Sequence, residues 1–482
     1  MELSDGSYLS LVPSEMDDPW KDLTDPILLT LFSYLNVQEL NNAARTCKNW
    51  CRIAQDESLW RNLTLKRLGC QYLRKEDSWK LELKRLICHV PVHLHQTCTD
   101  HVDEVYNVCF SNSGSLIATC GADGIVNIWK YGINTVLLIS KKVTDDPDYV
   151  NYVEFNDAET HLLVHSTSRS LEYDSTLAVL SIQRDIMYIV AARHSGVRHF
   201  RGTWLNNETF LNVNKSDLFP PYDVVLTACR FHEDVFDEDD RLLSELRIPD
   251  CFSKQNVDTK DLLKIEQVGF NPDFVKVIDW SEWNSSSNEP KDSSATNVIV
   301  IALYKQRLDR SGENGAVFYK VSLDSLESLV IEPIKTVLTN SACLGVQLSA
   351  NHRYMVYNLR RLSTEGVYIM HEKDVVTMVI SLENTEEQPE IFCDPKPADD
   401  SLTISYFFPS VSEDLVANES EPDVVFLWDR HSHKVVSRLH HHTGVSAVAF
   451  HPRDQEVLAS VADDKKLRIW TSLNRKESYI ID

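Results

Sequence analysis

The chain has 482 residues, enough for one large domain and a smaller one, and its 43% hydrophobic and 25% charged residues are typical of a soluble globular protein. A formal net charge of −24 repels phosphate backbones and anionic membrane surfaces, so neither nucleic acid nor a membrane is an expected partner. Eleven scattered cysteines, an odd number, and no apolar run of about 18 residues predict a cytoplasmic or nuclear protein without a membrane span.

Three helix starts are predicted near the N-terminus from their capping residues. Asp25 followed by Pro26 predicts an N-cap with proline at the first helical position. Asn36, with Glu39 three residues later, resembles a capping box, and Asp56 predicts the third start.

Apolar residues in this segment recur at helical spacing. The first helix carries Ile27, Leu28, Leu31, Phe32 and Leu35, and the second carries Leu40, Ala43, Ala44, Cys47, Trp50 and Ala54. Because so short a unit cannot bury all of this surface, two interpretations stay open: a helical cap packed on the next domain, or a surface that enters another protein's groove.

The pattern over about 45 residues resembles an F-box, although Thr24 stands where that family usually has proline. The matching residues are Leu23, Ile27, Leu28, Leu31, Phe32, Tyr34, Leu35, Leu40, Cys47, Trp50, Leu59 and Trp60. The resemblance implies docking on the Skp adaptor of a cullin-RING ubiquitin ligase. The residues that it assigns to adaptor binding are Leu23, Ile27, Leu28, Leu31, Phe32, Leu35 and Leu40.

A spacer and then a β-rich region follow. Ser78 is predicted to cap a helix that stops before Pro91. From Val92 onward, short β-branched runs separated by polar turns indicate an all-β domain.

Two segments of this region, 101–129 and 442–470, repeat each other. His101, Thr119, Asp123 and Trp129 pair with His442, Ser460, Asp464 and Trp470 at one offset, 341 (442−101, 460−119, 464−123, 470−129). This spacing is similar to that of the WD repeat, a four-stranded blade of a β-propeller. The resemblance implies that each set of four side chains forms a hydrogen-bonded chain within its blade.

His101, Thr119 and Asp123 are also residue types that form a base, nucleophile and acid in enzymes. A catalytic set has no reason to recur at a fixed offset in one chain, whereas a structural brace does. We therefore expect no catalytic residue and no cofactor. We also expect no metal site, because the histidines between 431 and 442 have no nearby cysteine pair and no fixed ligand spacing.

Repeat spacing predicts the number of blades. Trp428 lies 42 residues before Trp470, and the whole region accommodates seven blades with insertions, although eight stay possible. The predicted order is a disordered acidic tail (1–18), the F-box (19–65), a linker helix (66–90) and the propeller (91–482), with insertions near 232–240 and 282–296. Either Val92–His95 or Ser478–Ile481 could supply the strand that closes the last blade.

An F-box followed by a propeller is similar to the F-box/WD-repeat substrate receptors. The resemblance implies a non-catalytic subunit that binds the Skp adaptor, and through it a cullin, while the propeller binds a protein substrate. It adds the centrosome to the expected locations. A propeller scaffold that takes no part in ubiquitination is the competing hypothesis.

Two further partner surfaces are predicted. Trp428, Asp429 and Arg430 come close to a Trp-Asp-x-Arg motif, which by resemblance binds the damaged-DNA-binding adaptor of another cullin ligase. Arg353, Arg360 and Arg361 could bind an acidic or phosphorylated substrate segment, or they are solvated loop charges.

Overall fold

The computed structural model describes residues 23–69, 75–144, 148–168, 175–183, 186–195, 202–215, 222–231, 257–268, 275–279, 283, 298–305, 314–322, 331–339, 341–361, 375–393, 408–421 and 423–475. The chain divides into two compact units, Met1–Arg85 and Leu86–Asp482. The predicted tail at 1–18 and insertion at 232–240 lie outside the described residues, and only Trp283 of the insertion at 282–296 lies within them.

The first unit is helical. Its helices are α1 (Asp25–Phe32), α2 (Val37–Ala44), α3 (Lys48–Ala54) and α4 (Glu57–Leu68), and α5 (Trp79–Cys88) runs across the boundary between the two units. The Ser78 hydroxyl accepts a hydrogen bond from the Leu81 N–H at 3.2 Å, which confirms the predicted start of the spacer helix α5. None of these helices is long and apolar enough to cross a membrane.

Two of the three predicted starts in the first unit are confirmed. At α2 the Glu39 N–H donates to Asn36 Oδ1 at 2.9 Å, and the Asn36 N–H donates to Glu39 Oε2 at 2.8 Å, which completes the capping box. At α4 the carboxylate of Asp56 accepts from the Ser58 N–H at 2.9 Å.

The first start is displaced by one residue. Thr24 is the N-cap of α1, so Asp25 lies in the first turn and Pro26 follows it. The Asp25 carboxylate instead binds both guanidinium nitrogens of Arg52 in α3, at 2.6 and 2.9 Å, and these hydrogen bonds lower the pKa of Asp25. The prediction of Asp25 as N-cap was wrong because an arginine distant in sequence engages the carboxylate.

The second predicted helix is in fact two helices, α2 and α3. Cys47 interrupts it in an extended conformation (φ −152°, ψ 165°), and its sulfur accepts from the Trp50 N–H at 3.4 Å. The apolar spacing continues across this break, so periodicity alone could not reveal it.

The second unit consists of seven four-stranded antiparallel sheets among the described residues. In chain order the strands are β1 (His93–Cys98); β2 (Val105–Phe110), β3 (Leu116–Gly121), β4 (Ile125–Lys130), β5 (Val136–Lys142); β6 (Tyr149–Phe155), β7 (His161–Thr167), β8 (Ser175–Gln183), β9 (Ile186–Ser195); β10 (Thr203–Asn206), β11 (Thr209–Lys215), β12 (Tyr222–Phe231), β13 (Val257–Val268); β14 (Val275–Asp279), β15 (Val298–Lys305), β16 (Asn314–Ser322), β17 (Ile331–Thr339); β18 (Ser341–Leu348), β19 (Tyr354–Arg361), β20 (Val375–Ser381), β21 (Glu390–Cys393); β22 (Ser410–Val411), β23 (Leu415–Glu421), β24 (Val424–Asp429), β25 (Lys434–His440); β26 (Val445–His451), β27 (Asp454–Ala462) and β28 (Leu467–Thr471).

These sheets follow one another around a ring. Each sheet contacts the next, the second and third through the outer strand β9 and the others mainly through inner strands, and β26 of the last sheet contacts β2 of the first. The fold is therefore the predicted propeller, with seven sheets among the described residues.

Of the two segments predicted to close the last blade, the one nearer the N-terminus, Val92–His95, contributes to the closing strand. Strand β1 pairs antiparallel with β28, Leu94 facing Trp470 and Cys98 facing Leu467. The alternative, 478–481, lies outside the described residues. This pairing gives β28 a neighbour on both sides, so the last blade has four strands like the others.

Buried side chains from several blades form a shared core. One cluster includes Val105 of the first blade, Phe318 and Tyr357 of later blades and Ile469 of the last, each at most 1% exposed. Because the inner strands pack on one another in this cluster, their carboxyl-terminal ends and the turns that follow come together around the axis.

Candidate functional site

The first repeated set of polar residues forms one hydrogen-bonded chain. The Trp129 indole N–H donates to Thr119 Oγ1 at 3.0 Å, and the Thr119 hydroxyl donates to His101 Nε2 at 2.8 Å. His101 Nδ1–H in turn donates to Asp123 Oδ2 at 2.8 Å. The direction of the chain follows from its ends, because an indole can only donate and a carboxylate can only accept.

Asp123 anchors this chain to the backbone. Its carboxylate also accepts from the N–H groups of Val102 (3.1 Å) and Ile125 (3.0 Å). Burial raises the pKa of Asp123, but the hydrogen bonds from His101, Ile125 and Val102 outweigh it, so its pKa is below the ordinary value. Asp123 therefore stays ionised and holds the turn between β3 and β4.

The order of these side chains resembles a nucleophile, base and acid, but their surroundings do not suit catalysis. Thr119 is fully buried, His101 is 5% exposed, and the Thr119 oxygen already accepts from Trp129. A substrate atom cannot reach this hydroxyl without unfolding the blade.

In the last blade the histidine of the chain is His441, not His442 as the sequence predicts. The Trp470 indole donates to Ser460 Oγ at 2.8 Å, and the Ser460 hydroxyl lies 2.9 Å from His441 Nε2. His441 is buried, whereas His442 is exposed.

The prediction failed because the two blades differ by one residue in a turn. Val105 corresponds to Val445, an offset of 340 (445−105), whereas Thr119 and Ser460 differ by 341 (460−119). Between the paired residues Phe450 and Leu458 the last blade therefore holds one more residue than the first blade holds between the paired Phe110 and Ile117. The adjacent histidines at 440–442 allowed an ungapped comparison to select the wrong one.

Asp464 also has a different partner from the histidine that the repeat predicts. Its carboxylate pairs with the guanidinium of the buried Arg468, with 2.9 Å between Arg468 Nη1 and Asp464 Oδ1, and not with a histidine. Asn127 occupies the position of Arg468 in the first blade (468−127=341). This arginine replaces the histidine as the partner of the aspartate.

The predicted adaptor-binding residues separate into two groups in the helical unit. Leu28 and Leu40 are fully buried and Phe32 is 3% exposed, packed edge-on against Trp50 with 5.3 Å between ring centroids. These three residues form the core of the unit, so their assignment to the adaptor surface was wrong.

The other group faces outward. Ile27 is 48% exposed and Leu31 is 41% exposed, while Leu23 and Leu35 are half-buried. Tyr34, in the turn after α1, is 83% exposed and was not among the predicted binding residues. Its spacing from Ile27 and Leu31, seven and three residues, could have placed it on the same face.

The residues of the Trp-Asp-x-Arg-like motif are buried inside the propeller. Trp428 is 2% exposed, Asp429 is fully buried and Arg430 is 7% exposed. Arg430 pairs with Glu390 through two nitrogens, at 2.5 and 3.1 Å, and its guanidinium lies 3.7 Å from the ring centroid of Tyr354. All these groups engage the chain itself, and no contact in the described structure favours a second adaptor at this motif.

Replacing Arg430 with lysine should therefore lower the free energy of unfolding, by about 2 kcal/mol, because an ammonium cannot make both hydrogen bonds to Glu390 and stack on Tyr354. The melting temperature measures this effect. The matched control is Arg438→Lys on the exposed side of β25, which should leave the melting temperature within about 1 °C of wild type. Equal melting temperatures of the two variants would contradict the internal role of Arg430.

The three arginines predicted to bind substrate do not form one cluster. Arg353 directly precedes β19, while Arg360 and Arg361 end that strand, so the backbones at 353 and 360 are roughly 23 Å apart. The side chains of Arg360 and Arg361 lie outside the described part of the structure. Arg353 pairs with Glu383 at 3.1 Å and lies 3.9 Å from Glu413, which partly neutralises its charge.

Comparison with known proteins agrees with both units. Residues 20–66 match the F-box-like family, and residues 93–130 and 433–471 match the family described as WD domain, G-beta repeat. F-box/WD repeat-containing protein 5 of Homo sapiens is 22% identical over 93% of this chain and 94% of its own length. F-box/WD repeat-containing protein 8 of Rattus norvegicus is 32% identical over 30% of this chain and 26% of its own length. The WD repeat-containing protein WDS homolog of Arabidopsis thaliana is 20% identical over 79% of this chain and 58% of its own length. The chain is therefore similar to F-box-like and WD40-repeat proteins in these segments, and to F-box/WD repeat-containing protein 5 over most of its length.

Proposed function

We propose that this chain is the substrate-recognition subunit of an SCF-type cullin-RING ubiquitin ligase. The F-box-like unit binds the Skp adaptor, the adaptor binds the cullin, and the propeller binds the protein to be ubiquitinated. The observation that carries this proposal is the exposed apolar face formed by Ile27, Leu31 and Tyr34 on a unit whose own core is already filled.

This face is not needed to hold the helices together. The core side chains Leu28, Phe32 and Leu40 are at most 3% exposed without it. Exposed apolar surface of this kind gains roughly 25 cal/mol per Å² when a partner covers it. Ile27 and Leu31, four residues apart on α1, match the way a helix presents its side chains to a groove, and Tyr34 follows in the next turn.

In this proposal the chain contributes proximity and no chemical step. An F-box unit and a WD40 propeller are typical of receptors that bring a substrate to a catalytic partner. Holding a substrate lysine near the ubiquitin-loaded enzyme raises its effective concentration there. The buried chain from Trp129 to Asp123 fits this non-catalytic role, because its hydrogen-bonding atoms bind one another.

The experiment is co-elution with the Skp adaptor in size-exclusion chromatography, comparing wild type with the double variant Ile27→Asp, Leu31→Asp. Each replacement should reduce the free energy of binding by about 2 kcal/mol or more. The double variant should therefore bind the adaptor roughly a thousandfold more weakly and elute apart from it. Phe32 is left unchanged because an aspartate there would disrupt the core of the unit.

The matched control is Leu138→Asp, an equally exposed leucine of the propeller at 41%. It should co-elute with the adaptor as wild type does, and the melting temperatures of all variants should agree. A wild-type chain that does not co-elute would contradict the proposal and favour the scaffold hypothesis. Co-elution of the double variant would show that another surface binds the adaptor.

A further inference from the structure

A cavity of about 560 Å³ lies where the innermost strands of the propeller end. Its wall is formed by residues near the carboxyl ends of β2, β6, β10, β18, β22 and β26, by the turns after several of them, and by Lys276 of β14. Its volume lies within the usual range for small-molecule sites, roughly 300–1,000 Å³. The proposed role in ubiquitination assigns nothing to it.

Lys276 is a buried cation in this wall with hydrogen-bonding capacity to spare. Its side chain is 8% exposed, and Nζ lies 2.5 Å from the Tyr152 hydroxyl. The nearest carboxylate oxygen in the described structure, Oε1 of Glu154, is 3.6 Å from Nζ, which is too long for a good hydrogen bond. An ammonium has three N–H groups, so a group inside the cavity can accept from Lys276.

The acidic residues that line the cavity are engaged by the protein itself. Their contacts are Tyr152 and Thr203 to Glu154 (3.1 and 3.3 Å), Asn112 to Asp157 (3.0 Å), Arg475 to Asp454 (2.6 Å) and Tyr354 to Glu413 (3.3 Å). Arg453, also in the wall, is exposed, and its guanidinium has no hydrogen bond or ion pair to the described residues. The cationic groups that a ligand can meet in this wall are Lys276 and Arg453, which lie beside carboxylates that keep their charge.

Aromatic side chains supply the apolar part of the wall. Phe110, Tyr152, Trp204 and Phe450 all line the cavity. These rings can bind the apolar body of a ligand by burial, while the polar residues of the wall fix its orientation.

We propose that this cavity binds a small molecule with one anionic group, a carboxylate or a phosphate, on an apolar body. Lys276 binds the anion at the buried end of the cavity, and the exposed Arg453 attracts it electrostatically. The ligand makes the propeller a sensor of a small acidic compound. This inference goes beyond the proposed ligase role and does not depend on it.

The experiment is calorimetric titration of the full chain with phenyl phosphate, which joins an anion to an aromatic ring, and with benzyl alcohol as its uncharged counterpart. Phenyl phosphate should bind saturably and benzyl alcohol at least about tenfold more weakly, because a charge-assisted hydrogen bond contributes more than a neutral one. Lys276→Gln should weaken phenyl phosphate binding about tenfold or more, and Arg453→Gln about threefold. Arg438→Gln, an exposed arginine on β25, should not change it.

Several results would overturn the proposal. One is the absence of phenyl phosphate binding to wild type, and another is equal binding by wild type, Lys276→Gln and Arg453→Gln. If the Lys276→Gln variant does not fold, the proposal is tested by phenyl phosphate binding to the Arg453→Gln variant, which should fold because the Arg453 side chain is exposed. Binding of a ten-residue Glu/Ala peptide that depends on Lys276, with none of phenyl phosphate, would replace the small molecule with an acidic protein segment.

Discussion

Replacing Asp123 with alanine is expected to lower the free energy of unfolding of the propeller by about 3–5 kcal/mol, because it removes a buried charge that several donors share. The side chain is 1% exposed, and its loss leaves the His101 Nδ1–H and the N–H groups of Val102 and Ile125 without an acceptor. The urea midpoint and the melting temperature both measure the effect.

The control is Asp103→Ala in the same turn region. Asp103 is 51% exposed and lies 3.7 Å from the cation of the half-exposed Lys465, so its removal should change stability by less than about 1 kcal/mol. Equal midpoints for the two aspartate variants would show that the chain from Trp129 to Asp123 does not brace the blade.

The four side chains of this brace should also act as one unit. His101→Phe and Asp123→Ala remove neighbouring parts of the same chain, so the double variant should be less destabilised than the sum of the two single variants. A double-mutant cycle measures the difference, and simple additivity would contradict a shared network.

Acidification from pH 6.5 to pH 4 is expected to remove about 3 kcal/mol of stability through His441 alone. Burial, and then the positive charge of Arg468, lower the pKa of His441 from 6.5 to about 4 in the folded protein. Between these two pH values the unfolded chain binds a proton that the folded chain does not bind, so stability falls as pH falls. Each unit of pKa difference corresponds to about 1.4 kcal/mol, and the loss from this residue levels off as the pH falls below the folded-state pKa.

The neighbouring histidines provide a matched pair of variants. His441→Gln should flatten the dependence of the free energy of unfolding on pH between 4 and 6.5, relative to wild type. His442→Gln, one residue away and exposed, should leave that dependence unchanged. If the two variants exchanged these behaviours, His442 would be the buried member of the chain, as its spacing of 341 from His101 predicts.

In the helical unit, the sequence pattern predicts the local caps, whereas packing between helices determines which side chains are buried. Caps are local, and those at Asn36 and Asp56 follow from residues within three positions of each other. Whether a leucine at helical spacing faces inward depends on another helix. Phe32 is buried where Trp50 of α3 packs on it, while Leu31, one residue earlier, is 41% exposed.

The propeller shows the same division. Its repeats predict blades of four strands, because the alternation of strands and turns is a property of short stretches. They cannot predict the partner of Arg430, because Glu390 lies 40 residues away along the chain. Proximity in the sequence is not proximity in the fold for a related reason, since an extended strand separates the backbones of Arg353 and Arg360.

The amino-acid sequence by itself determined the order of the domains, the type of most elements and the blade repeat, since these depend on periodicity and on capping or turn residues a few positions apart. The tertiary structure decided which apolar residues of α1 stay exposed, that His441 and not His442 braces the last blade, and that Lys276 enters a cavity among aromatic side chains. Burial and hydrogen bonding at these positions are set by segments distant in sequence. A one-residue difference in a turn is enough to exchange a buried side chain for an exposed one.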